Sequence, residues 1–367
     1  MLSPPMIEHA ADYEWHGEGE EAEVVLYAPG DLTANPAFER VLPATHLPGV
    51  ESPVYAAASP EGLGWVALSA SHAAPDLVSV PVRSLLLGAD ASLGDLGVPP
   101  GEVPRMIPRR LSEVRLPYLT GAGIRRICEA GARAAAEDGL IDEEDLPLLD
   151  PHPGDADTLG RQANAAGTRE WDLPGEVRAY GVGEVLDARV ESLGLNQGTF
   201  VLVISTGAGD LGRLALAGHR ERILSRVRGG GFGMGEDLPA APVETEEAAD
   251  LLAAVGAAAN FADGRTALLL YALRWALKEF AGELGLRAAW GIGGIELRNG
   301  SLVHRGNLAA AGEEDVLVSG GSVVAGTGKM SGSVPPFRAL GDDGLHPWEE
   351  AEVMERWAEL DPPEGKS

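Results

Sequence analysis

The residues best suited to chemistry in this chain are a glycine loop, eight scattered histidines and three arginine clusters. Gly207-Ala208-Gly209-Asp210-Leu211-Gly212 fits G-x-G-x-x-G and follows an apolar run. Glycines at that spacing let backbone amides approach a pyrophosphate at a helix N-terminus. No clear βαβ unit follows, and no acid stands at a strand end about 20 residues on. Asp210 would also put a negative charge beside a phosphate, so a tight strand-to-helix turn is the favoured reading. Gly229–Gly235, beside Arg226 and Arg228, is either an anion-binding nest or a surface loop. Ser205 and Thr206 end the apolar run where catalytic residues often sit, but no G-x-S-x-G elbow surrounds them.

His9, His16, His46, His72, His152, His219, His304 and His346 form no H-x-H, H-x-x-x-H or H-E-x-x-H pair. With one cysteine, Cys128, no sequence-local transition-metal site and no internal disulfide can be assembled. The arginines group as Arg105, Arg109, Arg110 and Arg115, then Arg125 and Arg126, then Arg220, Arg222, Arg226 and Arg228. The simplest account of them is balance against nearby acids. The chain carries 56 acidic against 28 basic side chains, a net charge of −28. Such a body repels polyanions at long range, so nucleic-acid binding is expected to be weak or absent.

The elements that must position these residues follow from periodicity. Val24-Val25-Leu26-Tyr27 reads as a first strand, and Trp65–Leu68 and Leu77–Leu87 as further strand material. Residues 120–138 read as a helix capped by Thr120, with Ile124, Ile127 and Cys128 on one face and Gly139 closing it. Phe200–Ile204 suits a strand buried on both faces. Thr245 starts a helix through Val255, and a second helix is expected over about 264–284, with Leu269, Leu273, Leu277, Phe280 and Leu284 on one stripe. Ile295–Arg305 reads as a hairpin turning at Asn299-Gly300. An amphipathic helix is expected over 348–360 in the acidic tail.

At 367 residues and 45% hydrophobic content the chain has ample material for a core. No apolar run approaches the roughly 20 residues that span a bilayer, and Met1–Glu8 lacks the features of a signal peptide. A cytoplasmic location is the default. The expected layout is an acidic N-terminal segment over 1–50, an α+β domain over 51–334 and an acidic tail over 335–367.

Several fragments, taken in order, resemble the RtcB family of RNA ligases, which join a 3′-phosphate or cyclic phosphate to a 5′-hydroxyl. Ala130–Asp138 and Glu143-Glu144-Asp145-Leu146 resemble the family's Ala-rich helix end and E-E-D-L-type segment. Gly181-Val182-Gly183-Glu184-Val185 stands where the family has G-x-G-N-H-F. Val203–Gly212 stands where it has a strand ending in H-[ST]-G-S-R-G-L-G, which accounts for the apparent dinucleotide fingerprint. Ala258-Ala259-Asn260-Phe261-Ala262 matches A-x-N-F-A and is the most specific fragment. Val303-His304-Arg305-Gly306 resembles V-x-R-K-G, and Leu317–Thr327 resembles I-P-G-S-M-G-T. The resemblance covers roughly residues 120–333. It implies an α+β fold, a single large domain of stacked mixed β-sheets flanked by helices.

The departures fall on the family's chemistry. The D-[IV]-x-C-G motif that binds manganese is absent, and Val185 and Ser205 replace two ligand histidines. Gly209 replaces an arginine, Trp290–Gly294 lacks the family's H-N, and the C-terminal H-G-A-G-R that takes GMP is missing. His346 lies near the place of its nucleophile, without the flanking residues. Guanylyl transfer needs both a nucleophile and metal ions. The resemblance therefore implies a diverged protein without ligase activity, needing no cofactor, that binds a partner such as an active ligase subunit or another RNA-processing protein. Alternatives are a ligase with a rebuilt site, using manganese and GTP, and an unrelated α+β domain. The catalytic candidates are His304 and His346, and the cleft candidates are Asn260, Arg305 and Ser322. Ser205 and Lys329 are further candidates for a rebuilt site, and His72 and Asp76 for a hidden N-terminal metal ligand.

Overall fold

The computed structural model of the protein describes residues 7–11, 14–18, 22–27, 39, 41–50, 54–59, 62–68, 70–78, 80–92, 110–111, 113–115, 119–149, 151–171, 176–185, 199–232, 235–281, 286–292 and short strands between 296 and 339. Five short strands build the described N-terminal part. Strands β1 (Ile7–Ala11), β2 (Glu14–Glu18), β3 (Glu23–Tyr27), β4 (Val54–Ser59) and β5 (Gly62–Ala67) form one sheet in that order. The run Val24–Tyr27 is thus the third strand of the chain. It pairs antiparallel with β2 and parallel with β4. A parallel pair needs a crossover, and here it carries the 3-10 turn Leu42–His46. Val41, Ala44 and Leu47 pack there against Val24, Leu26, Val54 and Ala56. β1, β2 and β3 consequently share one sheet with β4 and β5, and Val24 and Leu26 share one core with Val54 and Ala56.

The second sheet holds the central core. Strand β6 (His72–Ala73) leads through a 3-10 turn, Pro75–Leu77, to β7 (Val82–Ser92). Of the expected strand material over Leu77–Leu87, Leu77 ends that turn and the strand starts only after Pro81. Strands β8 (Glu176–Val185) and β9 (Thr199–Gly207) follow, and β7 and β8 flank β9 on its two sides, both antiparallel. Phe200, Leu202 and Ile204 of β9 are fully buried on one face, where they meet Leu85 and Leu87 of β7.

Helices cover that face. α1 (Gly121–Ala130) is capped by Thr120, whose Oγ1 accepts from the Gly123 N–H at 3.3 Å. Ile124, Ile127 and Cys128 are buried as their spacing predicts, and burial pushes the Cys128 thiol up to about 12. The expected helix over 120–138 is two, because Gly131 turns to φ +58° before α2 (Ala132–Glu137). α3 (Arg161–Glu170) and α4 (Gly209–Arg228) come next, α4 directly after β9. Strand β10 (Ala241–Pro242) pairs with β6 and leads to α5 (Glu246–Ala281).

α5 corrects the expectation of two helices. It runs 36 residues without a break, through Gly256 and Gly264. Residues 254–270 are buried without exception, so the helix is surrounded by protein on all sides. The glycines serve close approach rather than termination. A Cβ on Gly256 would overlap the Pro153 carbonyl, and one on Gly264 would overlap Ile127. Strand β11 (Leu286–Ile292) then pairs with β7. β12 (Glu296–Arg298) and β13 (Ser301–Val303) pair antiparallel with Arg298 opposite Ser301, the register of the predicted Asn299-Gly300 hairpin. β14 (Leu308–Ala310), β15 (Val316–Val318), β16 (Val323–Gly326) and β17 (Lys329–Ser331) form a four-stranded sheet, and β18 (Phe337–Ala339) joins β8. The structure is a mixed α+β arrangement whose central sheet is antiparallel throughout. The expected tail helix over 348–360 lies outside the described residues.

Candidate functional site

An all-buried helix can carry polar side chains only if each finds a partner. The middle of α5 carries four: Asn260, Asp263, Arg265 and Thr266. The partners of Asp263, Arg265 and Thr266 come from the end of the central sheet where β7 begins and β9 finishes, with Arg83 directly opposite Thr206 in register. Arg83 donates from Nε to Asp263 Oδ1 at 2.5 Å and from Nη2 to Oδ2 at 3.2 Å. Both side chains are buried, with Asp263 at 1% exposure. His152 Nε2 lies 3.1 Å from Arg83 Nη2. A guanidinium only donates, so Nε2 accepts and the imidazole proton sits on Nδ1. Thr206 Oγ1 lies 2.8 Å from the Ala262 carbonyl and 2.6 Å from Thr266 Oγ1. These contacts form a polar seam that ties β7 and β9 to the middle of α5.

Asn260 is at the heart of the seam. It is fully buried; Oδ1 accepts from the His152 N–H at 2.8 Å, and Nδ2 donates to the Cys128 and His152 carbonyls, each at 2.9 Å. The amide thus clamps the main chain on both sides of His152 and that of Cys128. Sequence reasoning placed Asn260 in a nucleotide cleft; here its amide is bonded to main chain at both ends. Arg265 donates to the Gly207 carbonyl at 2.5 Å and stacks over the Phe261 ring, 5.9 Å from its centroid. Burial pushes its guanidinium below the ordinary arginine value, and the Glu170 carboxylate opposes that.

The G-x-G-x-x-G segment is a strand-to-helix turn. Its amide cradle already holds an anion, and that anion belongs to the chain. Glu170, the last residue of α3, accepts from the Asp210 N–H at 2.8 Å and the Leu211 N–H at 3.4 Å. Gly209 adopts φ +51°, and a Cβ there would come within 2.6 Å of Glu170 Oε2. The carboxylate sits where the helix dipole favours negative charge. Glu170→Gln, which keeps the shape and removes the charge, is expected to lower stability by about 1 kcal/mol, read as a shift in the urea unfolding midpoint.

The Gly229–Gly235 loop spends its first amides similarly. Gly229, Gly230 and Gly231 donate to the Ser225, Val227 and Arg226 carbonyls, closing the C-terminus of α4. The arginines of that helix face acids: Arg220 pairs with Asp76, Arg222 with Asp250, Arg226 with Glu247 and Arg228 with Glu236. Arg125 pairs with Glu129 and Asp157, and Arg126 with Asp138. These pairs are largely exposed, so water and salt screen them, and each of these arginines has a carboxylate beside it.

Of the other sequence candidates, His72 is half-buried, with Nδ1 3.0 Å from Ser71 Oγ, and burial lowers its pKa against the pull of Glu244. Asp76 is engaged by Arg220. Ser205 stands opposite Ser84 and Glu176 in the strand register, and Lys329 opposite Gly326. His304, Arg305, Ser322 and His346 lie outside the described residues. Sequence reasoning missed Arg83, His152, Glu170, Asp263 and Arg265. The available signal was the placement of Asp263 and Arg265, charged residues inside an otherwise apolar stretch.

Among the described residues no group of three or more His, Cys, Asp or Glu side chains is placed to hold a metal ion, and no helix is long and apolar enough to cross a membrane. The described residues do not fit the manganese and GTP that the resemblance implies. Val185 offers no donor atom, and Glu170 fills the cradle after β9 with negative charge. Compared with protein-family models and with curated proteins, the chain finds no match in either.

Proposed function

We propose that this chain is a diverged relative of the RtcB ligases that has given up metal- and GTP-dependent RNA joining and serves as a partner-binding or regulatory protein in RNA processing or repair in the cytoplasm. The observation that carries the reading is the Glu170 carboxylate on the Asp210 and Leu211 amides. The resemblance puts a phosphate- and metal-handling loop there, and a carboxylate held at 2.8 Å repels the phosphates of a nucleotide. The Arg83–Asp263 pair supports it, because its charges neutralise each other inside the protein. The order of the family-like fragments supports descent, and the substitutions at the ligand positions support loss of the reaction.

The test is incubation of the full chain with Mn²⁺ and labelled GTP, then with an RNA bearing a 3′-phosphate and one bearing a 5′-hydroxyl, beside an active ligase. The expected result is no labelled protein on a denaturing gel and no joined RNA. A labelled band at the mass of the chain, 38.2 kDa, overturns the reading in favour of a rebuilt active site. The modified residue is then sought first at His304 and His346.

A further inference from the structure

The stretch from Pro151 to Trp171 is strapped to the helices beneath it at three places. At its start Asn260 clamps His152, and the Asp155 N–H donates to the Ala253 carbonyl of α5. At its end Glu170 caps α4. Between them runs the 3-10 turn Ala156–Leu159, whose Leu159 packs in the core with Leu211 and Ala215 of α4 and which meets that helix through a buried polar contact: His219 Nε2 lies 2.9 Å from the Thr158 carbonyl. A carbonyl only accepts, so Nε2 carries the proton and Nδ1 carries the lone pair. His219 is 2% exposed, and Nδ1 has no hydrogen-bond partner. A second proton on this ring must therefore go to a nitrogen that faces neither an acceptor nor water, and a buried charge without either is costly.

The charged groups around the ring do not rescue it. Arg222, on the same helix, opposes a positive imidazole; Asp250 of α5 favours one but is already paired with Arg222. The turn itself offers Asp157, which is held by Arg125, and the 3-10 turn Pro75–Leu77 offers Asp76, which is held by Arg220. Burial comes first in keeping the imidazole below its ordinary value, with Arg222 adding to it and the Thr158 carbonyl and Asp250 opposing. The sign follows: the contact is intact above the unfolded value of 6.5 and is lost as pH falls below it.

We infer that His219 is a proton-operated latch, and that its second proton releases the turn Ala156–Leu159 from α4 and loosens the strap between His152 and Glu170. The His152 end of that strap lies in the polar seam, and its Glu170 end caps α4, so the latch sets how firmly that end of the seam is covered. This inference is independent of the proposed loss of ligase activity.

The test is backbone hydrogen exchange of the full chain at about pH 7.5 and about pH 5, corrected for intrinsic rates. Peptides over 156–166 are expected to lose protection at the lower pH while peptides from β9 keep theirs. In His219→Gln the side-chain amide still donates to Thr158 and does not titrate, so the loss is expected to disappear. Three outcomes overturn the latch: protection over 156–166 equal at both pH values, a matching loss in β9, or the same acid-induced loss in His219→Gln. Should the variant fail to fold, wild-type exchange across the pH series decides, because only a loss confined to 156–166 is compatible with the latch.

Discussion

Replacing Asp263 with alanine is expected to destabilise the protein by about 3–5 kcal/mol, among the largest effects of any single change in the chain. Asp263 is 1% exposed and supplies both oxygens to Arg83. Removing it takes the carboxylate from a buried guanidinium, which His152 approaches through a ring nitrogen. The cost is mostly the loss of that compensating carboxylate, and it is not a measure of what the pair contributes. The two effects separate in a double-mutant cycle. Arg83→Met with Asp263→Leu replaces both charges by apolar groups of similar bulk, and buried pairs treated this way are often neutral. The double variant is therefore expected to lie well above Asp263→Ala in urea-unfolding stability, with strong coupling between the sites. A loss below about 1 kcal/mol for Asp263→Ala would mean that water reaches Arg83.

Gly256→Ala is expected to cost about 2–3 kcal/mol, against the usual direction for this exchange. In a helix interior alanine is normally better than glycine by up to about 1 kcal/mol. At Gly256 the new methyl overlaps the Pro153 carbonyl, and Gly154 lies on the same stretch of α5, its own Cβ position 2.6 Å from the Ala257 nitrogen. Both obstacles are main chain, which cannot swing aside like a flexible side chain. Relief would require lifting the His152–Asp155 segment and breaking its bonds to Asn260 and Ala253. Gly218, inside α4 with nothing within 4 Å of its Cβ position, is the control. Gly218→Ala is expected to stabilise by up to about 1 kcal/mol. Thermal unfolding of the two variants should move in opposite directions, and a stabilised Gly256→Ala would show that the segment does not rest on the helix.

The two glycines of α5 also explain one failure of the sequence reading. Gly256 and Gly264 interrupt an otherwise regular apolar pattern, in the region where the sequence reading runs one helix through Val255 and starts another at about 264. Local propensity opposes a glycine in a helix by only about 1 kcal/mol, far less than the burial of seventeen consecutive residues supplies. The opposite error occurred at Gly131. The alanine-rich stretch around it favours helix, but φ +58° there brings the backbone close to Asn260 and splits α1 from α2.

The sequence by itself determined what depends on near neighbours. Thr120 and Thr245 cap the helices they precede, Thr245 Oγ1 accepting from the Ala248 N–H at 3.4 Å. The apolar run after Gly198 is β9, the G-x-G-x-x-G segment is a turn into a helix, and the strands beside Asn299-Gly300 pair as a hairpin. The acid excess also anticipated that arginines on the surface would meet carboxylates. The tertiary structure alone decided which polar groups meet in the interior. Arg83 and Asp263 are 180 residues apart, and His152 and Asn260 are 108 apart. Backbone preference acts over a few residues, whereas the need to satisfy a buried charge or amide is met by whichever segment the fold brings near. For the same reason Glu170, an unremarkable acid in the sequence, became the anion in the cradle that the glycine motif made.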